Sequence, residues 1–160
     1  MRRASALAVI MVMALSGIAL AKAPVAMVTG TYTYLIGDDP GRWRTVTLNA
    51  RATDPAMGTW SWTTPARNTS GPVTCLRVDG ADAWLAGPVT SGDLGSPAVF
   101  LWIHDGGSPG TNGDTAFTWG ADPGETLADM EALCESMTTS PYGSDPFALV
   151  SGNLVIHRSR

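Results

Sequence analysis

Lysine is almost missing from this chain, with Lys22 alone against nine arginines, and histidine occurs only at His104 and His157. General acid/base catalysis by an imidazole therefore has two places to stand, and each would need a carboxylate beside it. Positive charge is short overall: 10 basic residues face 14 acidic ones for a net charge of −4. That balance excludes the basic footprint of a nucleic-acid or anionic-membrane binder. Cysteine stops at Cys75 and Cys134, with no C-x-x-C pair to act as a redox centre. There is no G-x-S-x-G elbow, no H-E-x-x-H and no phosphate-binding glycine loop. Serine-hydrolase and zinc-protease chemistry have no anchor, and no cofactor or metal centre is expected.

The first residues carry one clear message. Arg2 and Arg3 precede an apolar stretch over 6–15, and Ala19-Leu20-Ala21 supplies a small-x-small exit, the layout of a cleaved secretory signal over 1–21. The apolar run is shorter than the roughly 20 residues a spanning helix needs and is broken by Ser16 and Gly17. No membrane span is expected after cleavage. The reading is thus of an extracytoplasmic protein, secreted or in the cell envelope, with a single domain over 22–160. Losing Arg2 and Arg3 leaves 8 basic residues against the same 14 acidic ones. In an oxidising compartment the two cysteines are expected to form a structural Cys75–Cys134 disulfide.

Beyond the signal, β-branched and aromatic residues come in short runs punctuated by Gly, Pro and Asp, the pattern of an all-β domain. Runs over 28–36 and 42–50 flank Asp38-Asp39-Pro40-Gly41 and predict a hairpin. A short strand is expected over 59–64. Asp79-Gly80 reads as the two-residue turn of a second hairpin, over 73–78 and 81–89, with Arg77 opposite Asp82 and Cys75 opposite Trp84. In that hairpin Cys75, Arg77, Trp84 and Ala86 share one face while Leu76, Val78 and Leu85 share the other. Residues 98–105 are apolar on both faces and predict a central strand. Another strand is expected over 115–119, and a last one over 148–157 with a bulge at Ser151-Gly152.

One segment breaks the β pattern. Asp122-Pro123-Gly124-Glu125 resembles a capping sequence, and Leu127, Met130, Cys134 and Met137 recur at helical spacing, which predicts a single helix over 123–137. The expected fold is all-β: an antiparallel barrel or sandwich of about eight strands with one late helix. The alternative is an immunoglobulin-like sandwich, prompted by the order Cys75, Trp84, Cys134, although Ala132 stands where that fold carries a tyrosine.

Six tryptophans, at 43, 60, 62, 84, 102 and 119, are the unusual compositional feature. Trp60 and Trp62 stand two apart on one strand, about 7 Å from each other on the same face, a spacing that suits a sugar ring or flat apolar ligand. The same alternation would arise if both simply filled the core. Asp105, Asn112 and Asp114 share a glycine-rich loop but fit no calcium-loop spacing, and such residues also serve loops by bonding their own backbone. Glu125 with Asp129, and Glu131 with Glu135, read as a solvated helix face. Asn68-Thr69-Ser70 would accept a glycan only in a eukaryotic secretory route.

The stretch Pro72-Val73-Thr74-Cys75-Leu76-Arg77-Val78, the Gly80-Ala81 after it, Trp102-Ile103-His104-Asp105-Gly106-Gly107 and Val150-Ser151-Gly152-Asn153-Leu154-Val155-Ile156 resemble short secreted β-rich proteins of GC-rich, actinobacterial-type bacteria. His104 departs from that pattern, in which an apolar residue precedes Asp-Gly. The resemblance implies export and a β-rich domain and brings no activity. The functional expectation is an exported, non-catalytic module that binds a ligand or partner, a glycan or small apolar molecule, with Trp60 and Trp62 as binding residues. The alternatives are a small extracellular hydrolase or cyclase with its site inside a barrel, and a structural envelope protein.

Overall fold

The computed structural model describes residues 25–37, 39–107, 113–138 and 147–158. The signal segment 1–21 and Asn112 lie outside the described residues. Nine strands and one helix follow in chain order: β1 (Met27–Ile36), β2 (Asp39–Arg51), β3 (Met57–Thr63), β4 (Asn68–Pro72), β5 (Cys75–Asp79), β6 (Asp82–Pro88), β7 (Ala98–His104), β8 (Thr115–Gly120), α1 (Leu127–Ser136) and β9 (Phe147–His157).

All nine strands join one antiparallel sheet in the order β4-β3-β2-β1-β9-β8-β7-β6-β5. Two four-stranded meanders, β1 to β4 and β5 to β8, are stitched together by β9, which pairs with β1 on one side and with the start of β8 on the other. The sheet curls into a barrel-like shape, and its first edge is bridged at Ser70 to Ser91, just beyond β6. Val73 donates its N–H to the carbonyl of Gly58 in β3, and Thr74 donates to that of Ala86 in β6. The chain thus steps from one edge of the sheet to the other between consecutive residues. This is the all-β, barrel-like class expected from the sequence, with nine strands. A continuous sheet whose disulfide runs from a strand to an outer helix is not an immunoglobulin arrangement.

Strand alternation builds the interior. Val28, Tyr32 and Tyr34 of β1, Val46, Leu48 and Ala50 of β2, and Trp60 and Trp62 of β3 point inward and are buried, while threonines at 29, 31, 33, 45, 47 and 59 face outward. β6 and β7 are buried on both faces because a second layer covers their outside. There Trp84, Ala86, Phe100 and Trp102 pack under α1, which contributes Met130 and Cys134. Fully burying such large apolar side chains stabilises the fold by about 2–3 kcal/mol each in transfer terms.

Three expectations shift in detail. The second hairpin turns on Gly80-Ala81 and not on Asp79-Gly80: Asp79 faces Asp82, Arg77 faces Trp84 and Cys75 faces Ala86. Gly80 occupies the first turn position with φ +58°, the positive φ that primed hairpin turns demand there. The shift is by an even number of residues, so the two faces keep the residues assigned to them. The helix begins at Leu127 and not at 123, with Thr126 as its N-cap and Asp129 completing the capping box. Asp122 and Glu125 close a separate turn, through Glu125 N–H to the Asp122 carbonyl at 2.9 Å and Asp122 N–H to Glu125 Oε2 at 2.7 Å. Gly124 at φ +98° ends that turn in a conformation no helix accepts. The bulge in β9 falls at Val150, since Thr33 faces Ser151 while Tyr34 faces Leu149.

The disulfide joins β5 to the helix: Cys75 and Cys134 are bonded, with Cα atoms 6.4 Å apart. Among the described residues no helix is long and apolar enough to cross a membrane.

Candidate functional site

Trp60 and Trp62 share one face, as their spacing requires, and that face is the inner one: they are 1% and 4% exposed. Neither offers its ring as an open platform. Trp60 lies under the seam where the sheet edges meet, its Nε1 close to Gly71 and Gly87. Trp62 reaches the end of the curled sheet where β1 passes into β2, and there it meets Arg44, whose guanidinium carbon is 4.3 Å from its ring centroid.

Arg44 was not singled out by sequence reasoning, yet its position was legible. It precedes Val46, Leu48 and Ala50 at the same parity, so it carries a charge on the inward row of β2. It lies opposite Tyr34 in register. No carboxylate pairs with it among the described residues, whose one side-chain ion pair is elsewhere. A cleft of about 280 Å³ opens at this end, lined by Ile36, Gly41, Arg42, Trp43, Arg44, Thr64, Pro65 and Ala66. Among the described lining residues the charged ones are two arginines, in a chain of net negative charge.

Polar atoms collect on the inner wall of the curled sheet. The hydroxyls of Tyr32, Tyr34 and Thr118 and the indole nitrogens of Trp60 and Trp62 are buried without a hydrogen-bond partner. Trp84 and Trp102 have the same lack under the helix. Buried polar groups normally find partners, and each exception costs about 1–3 kcal/mol. Burial pushes the Tyr34 phenol up, while the charge of Arg44 and the polar approach of Thr118 and Arg44 pull it back. Those neighbours sit near the hydroxyl without well-formed hydrogen-bond geometry. Tyr32 is raised well above the ordinary range by burial first and by Tyr34 second. Tyr34 also stacks on Phe147, with centroids 5.0 Å apart and planes 13° from parallel.

The histidine expectations resolve differently. His104 ends β7, and its partner is Asp82 on the neighbouring strand, Nδ1 to Oδ1 at 3.0 Å, and not Asp105. The register shift of the β5–β6 hairpin frees Asp82 for this contact and sends Arg77 to Trp84. Asp105 accepts from Gly107 N–H at 2.8 Å and from Ile156 N–H at 3.1 Å, so both its oxygens serve the backbone. Asp114 is buried and accepts from Gly106 N–H at 2.9 Å. Burial raises its pKa, Asp105 adds to the rise, and the Gly106 bond and His104 oppose it. His157 ends β9 and is exposed. None of the clefts described in this structure is lined by either histidine.

A second cleft, of about 440 Å³, lies across the outside of the first meander and is lined by Thr47, Thr59, Ser61, Ser70 and Thr90 together with Trp60, Gly71 and Pro72. It contains hydroxyls and no charge. Neighbouring threonines in this face bond one another across strands, Thr31 with Thr47 at 3.0 Å and Thr33 with Thr45 at 2.8 Å.

No protein-family model matches the sequence, and no curated protein and no solved structure is significantly similar to it.

Proposed function

We propose that this chain is an extracytoplasmic, non-catalytic binding module that takes a small molecule at the end of its curled sheet, where Arg44 and Trp62 meet. The observation that carries the reading is Arg44 itself: an inward-row arginine with no carboxylate partner among the described residues, above unpartnered hydroxyls of Tyr34 and Thr118. Placing charge and unpaired donors on an inner wall is costly unless something completes them. The mouth of a curled sheet is a common place for a small ligand. Export is supported by the basic, apolar and small-residue order of residues 1–21 and by the Cys75–Cys134 disulfide, which oxidising compartments permit. The resemblance to secreted β-rich proteins of GC-rich bacteria points the same way.

The test is intact mass of the protein recovered from an oxidising secretion host, measured native and then denatured. Retained mass that leaves on denaturation supports a bound ligand, and a denatured mass lacking 1–21 with two hydrogens lost supports export and the disulfide. A bare chain whose Trp62 indole signal answers no small molecule overturns the binding reading.

A second reading rests on the hydroxyl-lined outer cleft, whose neutral, hydrogen-bonding surface suits a glycan. Binding to an immobilised polysaccharide that survives Arg44→Gln would favour it.

A further inference from the structure

We infer that the ligand of the Arg44 cleft is a small carboxylate with a flat apolar body. The inference rests on the binding reading above and names its chemistry. Three observations converge on it.

The first is charge. Among the described lining residues of this cleft the charged ones are Arg42 and Arg44, in a chain that is net negative; the nearby Asp39 carboxylate accepts from Gly41 N–H. Charge of this kind selects an anion against the field of the rest of the molecule.

The second is donor geometry. A guanidinium presents parallel N–H groups that match the two oxygens of a carboxylate, and this one is held in place by the Trp62 ring at 4.3 Å. Arginine keeps those N–H donors while its face rests on an indole, so the stacking contact leaves the fork available.

The third is the rest of the wall. Ile36, Trp43, Pro65 and Ala66 are apolar, and the cleft of about 280 Å³ is below the usual span for drug-sized ligands. A heavily charged ion such as a phosphate ester would leave this apolar lining unused. A small molecule with one carboxylate and a ring uses all of it.

The experiment compares phenylacetate, phenylacetamide and phenethylamine, which share a ring and differ in charge, by titration followed through the Trp43 and Trp62 indole N–H signals. Phenylacetate is expected to bind about tenfold more tightly than the amide, and the amine not at all. Arg44→Gln is expected to remove the preference of acid over amide. Arg42→Gln, at the exposed rim, should reduce it two- to threefold and keeps the test valid if the Arg44 variant does not fold. Equal binding of acid and amide, unchanged in Arg42→Gln, overturns the carboxylate assignment while leaving a ligand site. No shift of either indole with any of the three probes overturns the assignment together with the site.

Discussion

The guanidinium of Arg77 lies over the ring of Trp84, 4.1 Å from its centroid, because the β5–β6 turn sets these two residues opposite each other. From that position its Nη1 also donates to the Glu135 carbonyl at 2.6 Å. The last turn of α1 contains no basic residue of its own, so a strand supplies the cation that the helix C-terminus favours. Arg77→Ala should cost about 2 kcal/mol, read as a lower urea midpoint at unchanged slope. Arg77→Lys should recover less than half of the loss, because an ammonium cannot stack and reach the carbonyl as a planar fork does. Equal stability of the lysine variant and the parent would refute this account.

The disulfide anchors the other side of the same helix. In the chain-entropy account a bridge between residues 59 apart stabilises by up to about 4 kcal/mol. The double variant Cys75→Ala, Cys134→Ala should lose about 2–4 kcal/mol in urea unfolding. Hydrogen exchange should show the amides of α1 losing protection before those of β1 and β2, since the bridge ties the helix to β5 and touches neither of those strands.

Two carboxyl groups should drive stability in opposite directions with pH. Asp129, held low by its bonds to Thr126, contributes stability above the unfolded carboxylate pKa and loses it as pH falls through its folded value. Asp114 has a raised folded pKa, so its contribution is unfavourable at neutral pH and disappears as pH falls below the unfolded value. Asp114→Asn keeps an acceptor for Gly106 N–H and should raise the urea midpoint at pH 7 but not at pH 3. A variant less stable at both values would contradict this sign.

Gly87 stands at the seam facing Trp60. A Cβ there would lie 2.8 Å from Trp60 Nε1 and would press against the Pro72 carbonyl, which is backbone and cannot yield cheaply. Gly87→Ala should therefore destabilise by at least about 3 kcal/mol. Gly80→Ala, whose added carbon meets nothing, should cost about 1–2 kcal/mol through its left-handed φ alone.

Much of this architecture is legible in the residues. Alternation on β1 to β3 separates threonine outside from aromatic inside, and the double-sided apolar run of β7 announces a strand covered on both faces. The helix start was harder because two capping sequences overlap, Asp122 to Glu125 and Thr126 to Asp129. The first is spent on a turn by the φ of Gly124, which composition alone does not disclose. The hairpin register failed for a related reason, since Gly80 fits either turn position until its φ is known. The candidate site divided along the same line. Trp60 and Trp62 stood out by type, whereas Arg44 stood out only by parity, a charge in a row of apolar residues. Tyr34 and Thr118 become neighbours through β9, a pairing distant in sequence that no local pattern encodes.

The placement of β9 also governs when the molecule can become whole. β1 and β8 each offer an open hydrogen-bonding edge until Phe147–His157 arrives between them. A chain synthesised from its N-terminus holds both meanders with bare edges until that strand is made, the condition in which strands recruit foreign partners. The last strand acts as the keystone. Its late arrival ties assembly to the synthesis of this strand, so that a chain lacking it presents sticky edges where the folded one presents none between β1 and β8.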